Sequence, residues 1–235
     1  MRKAAKSKRF LQTENIVDFY IPQTHQEAKP LKALTINQEK YIKAIKSTTL
    51  TFGIGSAGTG KTMLPTAIAC DMLRNGDIDK IIIVRPAVEA GEKLGFLPGE
   101  LESKFEVYLE PVKDVMNERL GVSQVKYYIK QGRIEGKPLA YMRGKSLKDA
   151  FIILDEAQNV TPEQMYLFLT RIGENCKVVI TGDCRQQDVK GKSGLQDAID
   201  KLHGKLNDSR FIWFTVDDVV RSEMVKQIIG LYGNP

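Results

Sequence analysis

Five short apolar runs alternate with helical patterns along the chain. The runs are rich in β-branched residues, and in order they are LTFGI (50–54), KIIIVRP (80–86), FIILDEA (151–157), KVVITGD (177–183) and RFIWFTV (210–216). Buried strands separated by helices are typical of a parallel sheet that is covered on both faces. The pattern therefore predicts an α/β fold, and a length of 235 residues fits one core domain.

The start of this domain is predicted from a capping signal. Thr35 is placed to cap a helix that runs to about Lys46, so the folded domain is expected to cover residues 35–235. Residues 1–34 carry many basic side chains and contain prolines that break regular structure. They are predicted to form a basic arm that is extended or partly disordered.

One stretch of the chain is longer than a crossover between two strands requires. It covers about residues 100–148 and is predicted to be a segment inserted into the domain. A helical pattern runs over 100–120, and Pro111 is expected to interrupt it.

Composition narrows the class of protein. Hydrophobic residues make up 42% of the chain and charged residues 27%, which is typical of a soluble globular protein. No apolar run reaches the length of a membrane span, and no apolar segment follows the basic N-terminus, so we expect a cytoplasmic protein without a membrane partner. Three cysteines without a paired motif and two distant histidines disfavour disulfides and thiol-based metal sites.

The net charge of +6 is concentrated at one end of the chain. Residues 1–50 hold ten Lys and Arg against four Asp and Glu, and the remaining residues are balanced. A basic arm of this kind attracts nucleic acid phosphates, but a solvated terminus has the same composition. Both interpretations stay open.

A phosphate-loop pattern follows the first strand. Residues 55–62 read GSAGTGKT, with a strand before them and a helical pattern after them. Glycines let the backbone N–H groups turn inward around an anion, and the N-terminus of the next helix adds its own N–H groups. We predict that Lys61 contacts the β- and γ-phosphates of ATP and that the hydroxyl of Thr62 binds Mg²⁺. The predicted nucleotide-binding loop consists of Gly55, Ser56, Ala57, Gly58, Thr59, Gly60, Lys61 and Thr62.

Two further motifs follow later strands. FIILDE ends in Asp155 and Glu156, which downstream of a phosphate loop predicts an aspartate for the Mg²⁺ shell and a glutamate that activates the attacking water. KVVITGDCRQ places Gln186 after a strand expected beside the other two, where it is a candidate sensor of the γ-phosphate. An ordinary polar loop after a strand is the other interpretation of Gln186.

These motifs and several others together resemble a known family. NQEKYI (37–42), GSAGTGKT, IVRPAV (83–88), LDEAQN (154–159) and TGDCRQ (181–186) resemble the successive motifs of superfamily 1 helicases. GEKLGFLPGE (91–100), PLAYMRGKSLKDAFIILDEAQN (138–159), LTRIG (169–173) and DVVRS (218–222) are more closely similar to the PhoH-like family of phosphate-starvation-inducible ATPases, which also occurs in bacteriophages.

The resemblance implies a fold, an activity and two site residues. It implies a RecA-like phosphate-loop core, a cytoplasmic ATPase, and a role in handling RNA, and we expect a bacteriophage member. In the helicases it resembles, an N-terminal glutamine contacts adenine and the glutamine of the last motif senses the γ-phosphate. These positions are Gln38 and Gln186 in this chain.

The chain is too short to supply a second RecA-like domain after Gln186, so a completing arginine is expected from a neighbouring subunit. Head-to-tail contacts that repeat by rotation close into rings, and we expect a homo-oligomer, by analogy a hexamer. Arg221 is the first candidate for the arginine, Arg171 the second and Arg143 the third, although each also fits a surface ion pair.

A basic and aromatic stretch is a candidate contact for a single nucleic acid strand. It runs from Lys126 to Lys145 and includes three tyrosines, whose other expected place is the core. Arg85, at the end of a predicted strand, is a candidate contact for the nucleic acid backbone.

The leading hypothesis is a Mg²⁺-dependent ATPase coupled to single-stranded RNA or, less favoured, DNA. The alternative is a nucleotide-dependent assembly switch that acts on a protein partner.

Overall fold

The computed structural model describes residues 29–86, 106–142 and 147–232. Their centre is a six-stranded sheet in which every pairing is parallel, with the order β3-β2-β4-β5-β1-β6. The strands are β1 (Leu50–Ile54), β2 (Lys80–Arg85), β3 (Ile134–Pro138), β4 (Ala150–Leu154), β5 (Lys177–Gly182) and β6 (Ser209–Trp213). The predicted fold class, an α/β core domain with a parallel sheet, is confirmed.

Helices connect the strands and cover both faces of the sheet. In the described part of the chain the α-helices are α1 (Ile36–Ser47), α2 (Met63–Asn75), α3 (Glu110–Leu120), α4 (Val122–Lys130), α5 (Pro162–Leu169), α6 (Gly194–Leu202) and α7 (Glu223–Tyr232). Short 3-10 helices cover Glu106–Leu109, Leu139–Met142, Ala157–Asn159 and Val216–Asp218.

Side chains that point alternately to the two faces of the sheet divide the hydrophobic core into two layers. In β2, Ile81 and Ile83 pack on the layer that contains α1 to α4, while Ile82 and Val84 pack on the layer that contains α5 and α6. Successive strand side chains point to opposite faces, so a strand that is apolar throughout is buried on both sides. This burial explains why the strand patterns were continuous apolar runs.

The order of the strands brings the predicted motifs to one edge of the sheet. β1 lies beside β5, and β5 lies beside β4, with Ile54 opposite Gly182 and Leu154 opposite Ile180. In a parallel sheet all the carboxyl ends lie at the same edge, and ligands bind there. The loops that follow β1, β4 and β5 therefore meet in one place.

The capping prediction for the first helix is confirmed. α1 begins at Ile36, and the Thr35 hydroxyl accepts a hydrogen bond from the backbone N–H of Gln38. The predicted interruption at Pro111 is wrong, because this proline lies in the first turn of α3. A helix starts readily with proline there, since the missing N–H would have no partner within the helix.

The segment predicted as an insertion contains a sixth strand that the sequence pattern did not reveal. β3 pairs with β2 at the edge of the sheet and reads Ile-Glu-Gly-Lys-Pro. Its polar and breaker residues are typical of an edge strand, where fewer backbone groups need a partner. Residues 1–28 of the predicted arm, GEKLGFLPGE (91–100), Arg143 and Lys145 lie outside the described residues.

Candidate functional site

The loop after β1 has the backbone shape that its glycines permit. Gly58 and Gly60 have φ values of 82° and 84°, in the left-handed region that side chains disfavour. α2 starts immediately after the loop, and the N–H of Leu64 donates to the Gly60 carbonyl at 2.9 Å. A loop of this shape at a helix N-terminus directs several N–H groups to one point and favours an anion there.

Three donors from other parts of the fold hold the carbonyl groups of this loop. The N–H of Val220 donates to Gly58 O at 2.9 Å, the Gln38 amide to Thr59 O at 3.1 Å, and the Tyr41 hydroxyl to Lys61 O at 3.0 Å. Burial, and second the charge of Asp155, raise the pKa of Tyr41 well above its ordinary value, so its hydroxyl stays protonated. The loop is therefore held in shape before any ligand binds.

The predicted metal residues lie in contact at the bottom of the site. The Thr62 hydroxyl donates to Asp155 Oδ1 at 2.9 Å, and the Thr181 hydroxyl donates to the same oxygen at 2.7 Å. Asp155 is only 3% exposed. A hydroxyl and a carboxylate oxygen side by side are ligands of the kind that Mg²⁺ prefers, and the phosphate loop lies next to them, so these residues fit a Mg²⁺–nucleotide complex.

Glu156 leaves the end of β4 in an unusual backbone conformation. Its φ and ψ are 57° and 39°, a left-handed conformation that costs a residue with a side chain about 1 kcal/mol or more. The conformation turns its carboxylate toward the site. Gln158 Nε2 donates to Glu156 Oε2 at 2.6 Å, and Arg85 lies 3.3 Å from Oε1.

Arg85 pairs with both carboxylates. Its guanidinium lies 3.1 Å from Asp155 Oδ2 as well as 3.3 Å from Glu156 Oε1. Its Nε is buried and has no hydrogen-bond partner within the part of the chain that the structure describes. Here Arg85 partly neutralises the acidic pair next to the phosphate loop, and its contact with a nucleic acid backbone stays a prediction.

Arg221 lies against the phosphate loop of its own chain. A Cβ built on Gly58 would be 3.2 Å from its Cγ and 3.5 Å from its Nε. Arg221 also lines the cavity of its own chain, and the expectation that it reaches the site of a neighbouring subunit stays a prediction. Sequence spacing does not distinguish these two arrangements.

A buried carboxylate holds the segment that carries Arg221. Asp218 is 3% exposed and accepts hydrogen bonds from the Thr35 hydroxyl at 2.6 Å, the Asn37 amide at 2.8 Å and the Thr215 N–H at 2.8 Å. Burial acts to raise the pKa of Asp218, but these hydrogen bonds outweigh it and keep the pKa below its ordinary value. Asp218 thus joins the start of α1 to the last 3-10 helix.

The phosphate loop, the acidic pair and the two arginines line an open cavity of about 420 Å³. The volume is within the usual range for a small-molecule site. The cavity lining combines apolar side chains at the rim with the loop, the carboxylates and the two arginines: Leu34, Gln38, Ala57, Gly58, Gly60, Lys61, Thr62, Met63, Arg85, Pro111, Asp155, Glu156, Val220 and Arg221.

Gln38 lies beside the loop, but its amide is already engaged. The side chain is 1% exposed, its Oε1 accepts from Leu34 N–H at 2.8 Å, and its Nε2 donates to Thr59 O. Here Gln38 supports the phosphate loop. Contact with adenine stays a prediction and requires its remaining N–H or lone pair.

Gln186 is not part of the cavity lining. Its side chain is exposed, and its N–H donates to Asp183 O at 3.0 Å in the turn after β5. The loop that carries it is tied to the segment after Glu156, because Asp188 N–H donates to Asn159 Oδ1 at 2.9 Å. The structure thus brings the loops together but not the Gln186 side chain, and its sensor role stays a prediction.

The residues predicted to contact a neighbouring subunit or a nucleic acid strand lie in separate parts of the fold. Arg171 is partly buried in the loop after α5, and its Nε has no hydrogen-bond partner among the described residues. In the stretch that begins at Lys126, Tyr127 is exposed on α4, Tyr128 is buried, and Tyr141 is exposed beyond the other end of β3. Because β3 separates these tyrosines by its length of about 13 Å, the stretch is not one continuous surface.

Sequence reasoning missed three residues that hold the site together: Tyr41, Gln158 and Thr181. Each is a polar residue in an otherwise buried context, with an exposed fraction of 0%, 2% and 0%. Buried polar groups need partners, so a polar residue inside an apolar pattern is the signal that could have identified them.

Comparisons with known proteins support one family. A sequence model described as PhoH-like protein matches residues 30–233. A PhoH-like protein of Bacillus subtilis (strain 168) is 49% identical over 208 residues, which is 88% of this chain and 65% of the relative. A PhoH-like protein of Mycobacterium tuberculosis (strain ATCC 25618 / H37Rv) is 47% identical, and Protein PhoH of Escherichia coli (strain K12) is 42% identical.

The coverage of these relatives is partial. The chain spans 59% of the length of the Mycobacterium tuberculosis and Escherichia coli proteins while 88% of the chain itself is matched. These relatives are bacterial and give no support to the expectation of a bacteriophage member.

Among solved structures, the crystal structure of Pif1 helicase from Candida albicans matches with a TM-score of 0.45 and 16% identity, covering 87% of this chain and 44% of that one. Within the described residues, no helix is both long enough and apolar enough to cross a membrane.

Proposed function

The chain belongs to the PhoH-like protein family, and we propose that it binds ATP with Mg²⁺ and hydrolyses the ATP. One observation supports this proposal above the others. The phosphate loop is held in an anion-binding shape, and it lies in direct contact with a buried carboxylate through the 2.9 Å hydrogen bond between Thr62 and Asp155. An anion site and a metal site that share one hydroxyl suit a metal-bound triphosphate.

The binding roles follow from the donor groups. Loop N–H groups from Ser56 to Thr62 and the Lys61 ammonium would hold the phosphates, while the Gly55 N–H donates to Gly182 O at 3.0 Å and anchors the start of the loop to β5. Among the described residues, Lys61 Nζ donates to Ser56 O at 3.2 Å, a contact that a phosphate oxygen would replace. Thr62 and Asp155 would hold Mg²⁺, which when bound neutralises charge on the phosphates. The apolar rim residues Leu34 and Val220 would contact the base together with Gln38.

The hydrolytic roles belong to Glu156 and Arg221. Glu156 would orient the attacking water and accept its proton as the water oxygen bonds to the γ-phosphorus and the bond to the ADP oxygen breaks. Arg221, beside Gly58 of the same chain, would stabilise the charge on the γ-phosphate. Gln186 would sense the γ-phosphate if the loop after β5 turns inward.

We further propose that hydrolysis is coupled to single-stranded nucleic acid, with RNA favoured over DNA. Support comes from the basic excess before residue 50 and from the exposed Tyr141 at the same edge of the sheet as the cavity. The alternative is an ATP-dependent assembly switch that binds a protein partner. In the described residues Arg85 pairs with carboxylates, so a direct contact with a nucleic acid requires that this pairing be broken.

A homo-oligomer, by analogy a hexameric ring, and a cytoplasmic location remain proposals. Arg221 lies beside the phosphate loop of its own chain, and contact with the site of a neighbouring subunit stays a proposal for it. Arg171 stays a candidate for that contact, and Arg143 lies outside the described residues.

ATP turnover with and without single-stranded RNA, single-stranded DNA and duplex, at low and moderate salt, tests the proposed function. We expect Mg²⁺-dependent turnover that one single strand stimulates, with the stimulation weakening as salt rises. Equal turnover in all mixtures would favour the assembly switch. No turnover in any mixture, with purified folded protein, would contradict the proposed hydrolysis.

A further inference from the structure

Gln158 connects the proposed base to the loop after β5. Its Nε2 donates to Glu156 Oε2 at 2.6 Å, and its Oε1 accepts from the Asp183 N–H at 3.1 Å. The side chain is only 2% exposed. A buried amide with both ends engaged holds both partners in place, because either partner would lose its hydrogen bond if it moved alone.

The surrounding backbone is shaped to admit this side chain. A Cβ built on Gly182 would be 2.7 Å from Gln158 Oε1, closer than any real Cβ contact. The glycine at the end of β5 therefore leaves the space that the amide oxygen occupies. Asn159, the next residue, accepts a hydrogen bond from Asp188 N–H at 2.9 Å, which adds a second tie to the same loop.

The other oxygen of Glu156 faces Arg85 at 3.3 Å. Two groups thus orient the Glu156 carboxylate, and Gln158 is the uncharged one. Arg85 donates to Oε1 over this longer distance, whereas the hydrogen bond from the buried Gln158 amide to Oε2 is short at 2.6 Å. The position of Oε2 therefore depends mainly on Gln158.

We propose that Gln158 is a positioning residue that couples the orientation of Glu156 to the position of the loop 183–188. This inference rests on the proposed ATP hydrolysis and adds a route by which that loop affects the base. When Asp183 moves, the Gln158 amide moves with it and turns the Glu156 carboxylate. The rate of the hydrolytic step then depends on the position of the loop 183–188, although the loop itself does not contact the attacking water.

The test compares Gln158→Met, Gln158→Glu and a matched control. Methionine has a similar shape but makes neither hydrogen bond. Glutamate still accepts from Asp183 N–H but cannot donate to Glu156 when ionised. Gln196→Met changes a partly buried glutamine on α6, outside the site, whose amide donates to Asp200 Oδ1 at 2.9 Å, so it controls for the substitution itself.

We expect both Gln158 variants to lose kcat by about 10- to 100-fold, the effect of misplacing a catalytic group by about 1 Å. KM for ATP and the Kd of a non-hydrolysable ATP analogue should not change, since the phosphate loop is untouched. Gln196→Met should match the wild type. A purely structural role would lower analogue binding and Tm together with kcat.

Coupling to the loop is measured with Gln186→Ala. If Gln158 links the loop to the base, the losses of kcat in Gln158→Met and Gln186→Ala are not multiplicative in the double variant. A kcat for Gln158→Glu equal to the wild-type value, or multiplicative losses in the double variant, would overturn the inference. If Gln158→Met does not fold, Gln158→Glu still decides the hydrogen bond to Glu156. Absence of turnover in the wild type would contradict the proposed function instead.

Discussion

Single residues of the site are arranged so that the charge of two adjacent acids is partly balanced before any ligand enters. Asp155 and Glu156 are adjacent acids at the end of β4, and Arg85 from β2 lies within 3.3 Å of both. Unpaired like charges so close together would destabilise each other. Arg85 therefore supplies positive charge to the two carboxylates, and a bound divalent cation would replace it in this role.

Replacing Glu156 by glutamine separates binding from hydrolysis. Glu156→Gln keeps the shape of the side chain but removes the proton acceptor, so we expect turnover to fall by at least about 100-fold while ATP still binds. Turnover assays and analogue titration measure the two effects. Lys61→Ala is the contrasting variant, in which both should be lost. Near-normal turnover in Glu156→Gln would remove this residue from the role of base.

Replacing Arg85 should strengthen metal binding. In Arg85→Met the carboxylates lose their positive neighbour, and we expect the affinity for Mg²⁺ without nucleotide to rise by about tenfold. Calorimetric titration with Mg²⁺ measures this change, and Arg210→Met, on the edge strand, serves as a surface control. An unchanged or lower affinity would show that Arg85 does not compete with the metal.

Whole elements, and not only loops, hold the site. Asp218 joins the N-terminus of α1 to the 3-10 helix Val216–Asp218. Gln38 of α1 and Val220, two residues after that 3-10 helix, donate to the carbonyl groups of the phosphate loop. The loop therefore keeps its shape only while these two elements stay in contact.

Asp218→Asn should weaken this contact. A carboxylate that accepts several hydrogen bonds becomes an amide, and we expect a loss of about 2 kcal/mol in the free energy of unfolding. Because the pKa of Asp218 is lowered in the folded state, its contribution is fully present above the ordinary carboxyl pKa and is lost as the pH falls through the folded value. The difference between variant and wild type should therefore shrink below about pH 4. Chemical denaturation at pH 7 and pH 3 measures it, and a constant difference would contradict this account.

At the scale of elements, the sequence was most informative where residues are buried. The central strands were predicted closely because Ile81 to Val84 and Ile152 to Leu154 are apolar on both faces. β3 was missed because an edge strand with Gly136 and Pro138 has no continuous apolar signal. The phosphate loop could be predicted from the sequence because its residues are consecutive. The position of Arg221 could not be predicted, since it depends on how the chain returns to Gly58 across more than 160 residues.

At the scale of the whole molecule, Arg221 lines the cavity of its own chain. This arrangement predicts the activity of assemblies that mix two variant subunits. Arg221→Ala and Lys61→Ala subunits each damage their own site if Arg221 acts within one chain. Mixing the two variants should therefore restore no turnover, which an ATPase assay over a range of mixing ratios measures. Mixing wild-type subunits with Lys61→Ala subunits is the control for exchange. Recovered activity would mean that Arg221 serves a neighbouring subunit.

The hydrogen bond between Thr35 and Asp218 spans 183 positions of the sequence. During synthesis on a ribosome, α1 and the phosphate loop leave the exit tunnel long before Asp218 and Val220 are made. Until then the Gly58 carbonyl lacks its donor and the cavity lacks one wall. A nascent chain should therefore acquire nucleotide affinity only after residues 218–220 have left the exit tunnel, so that ATP first binds to a chain whose six strands have all been made.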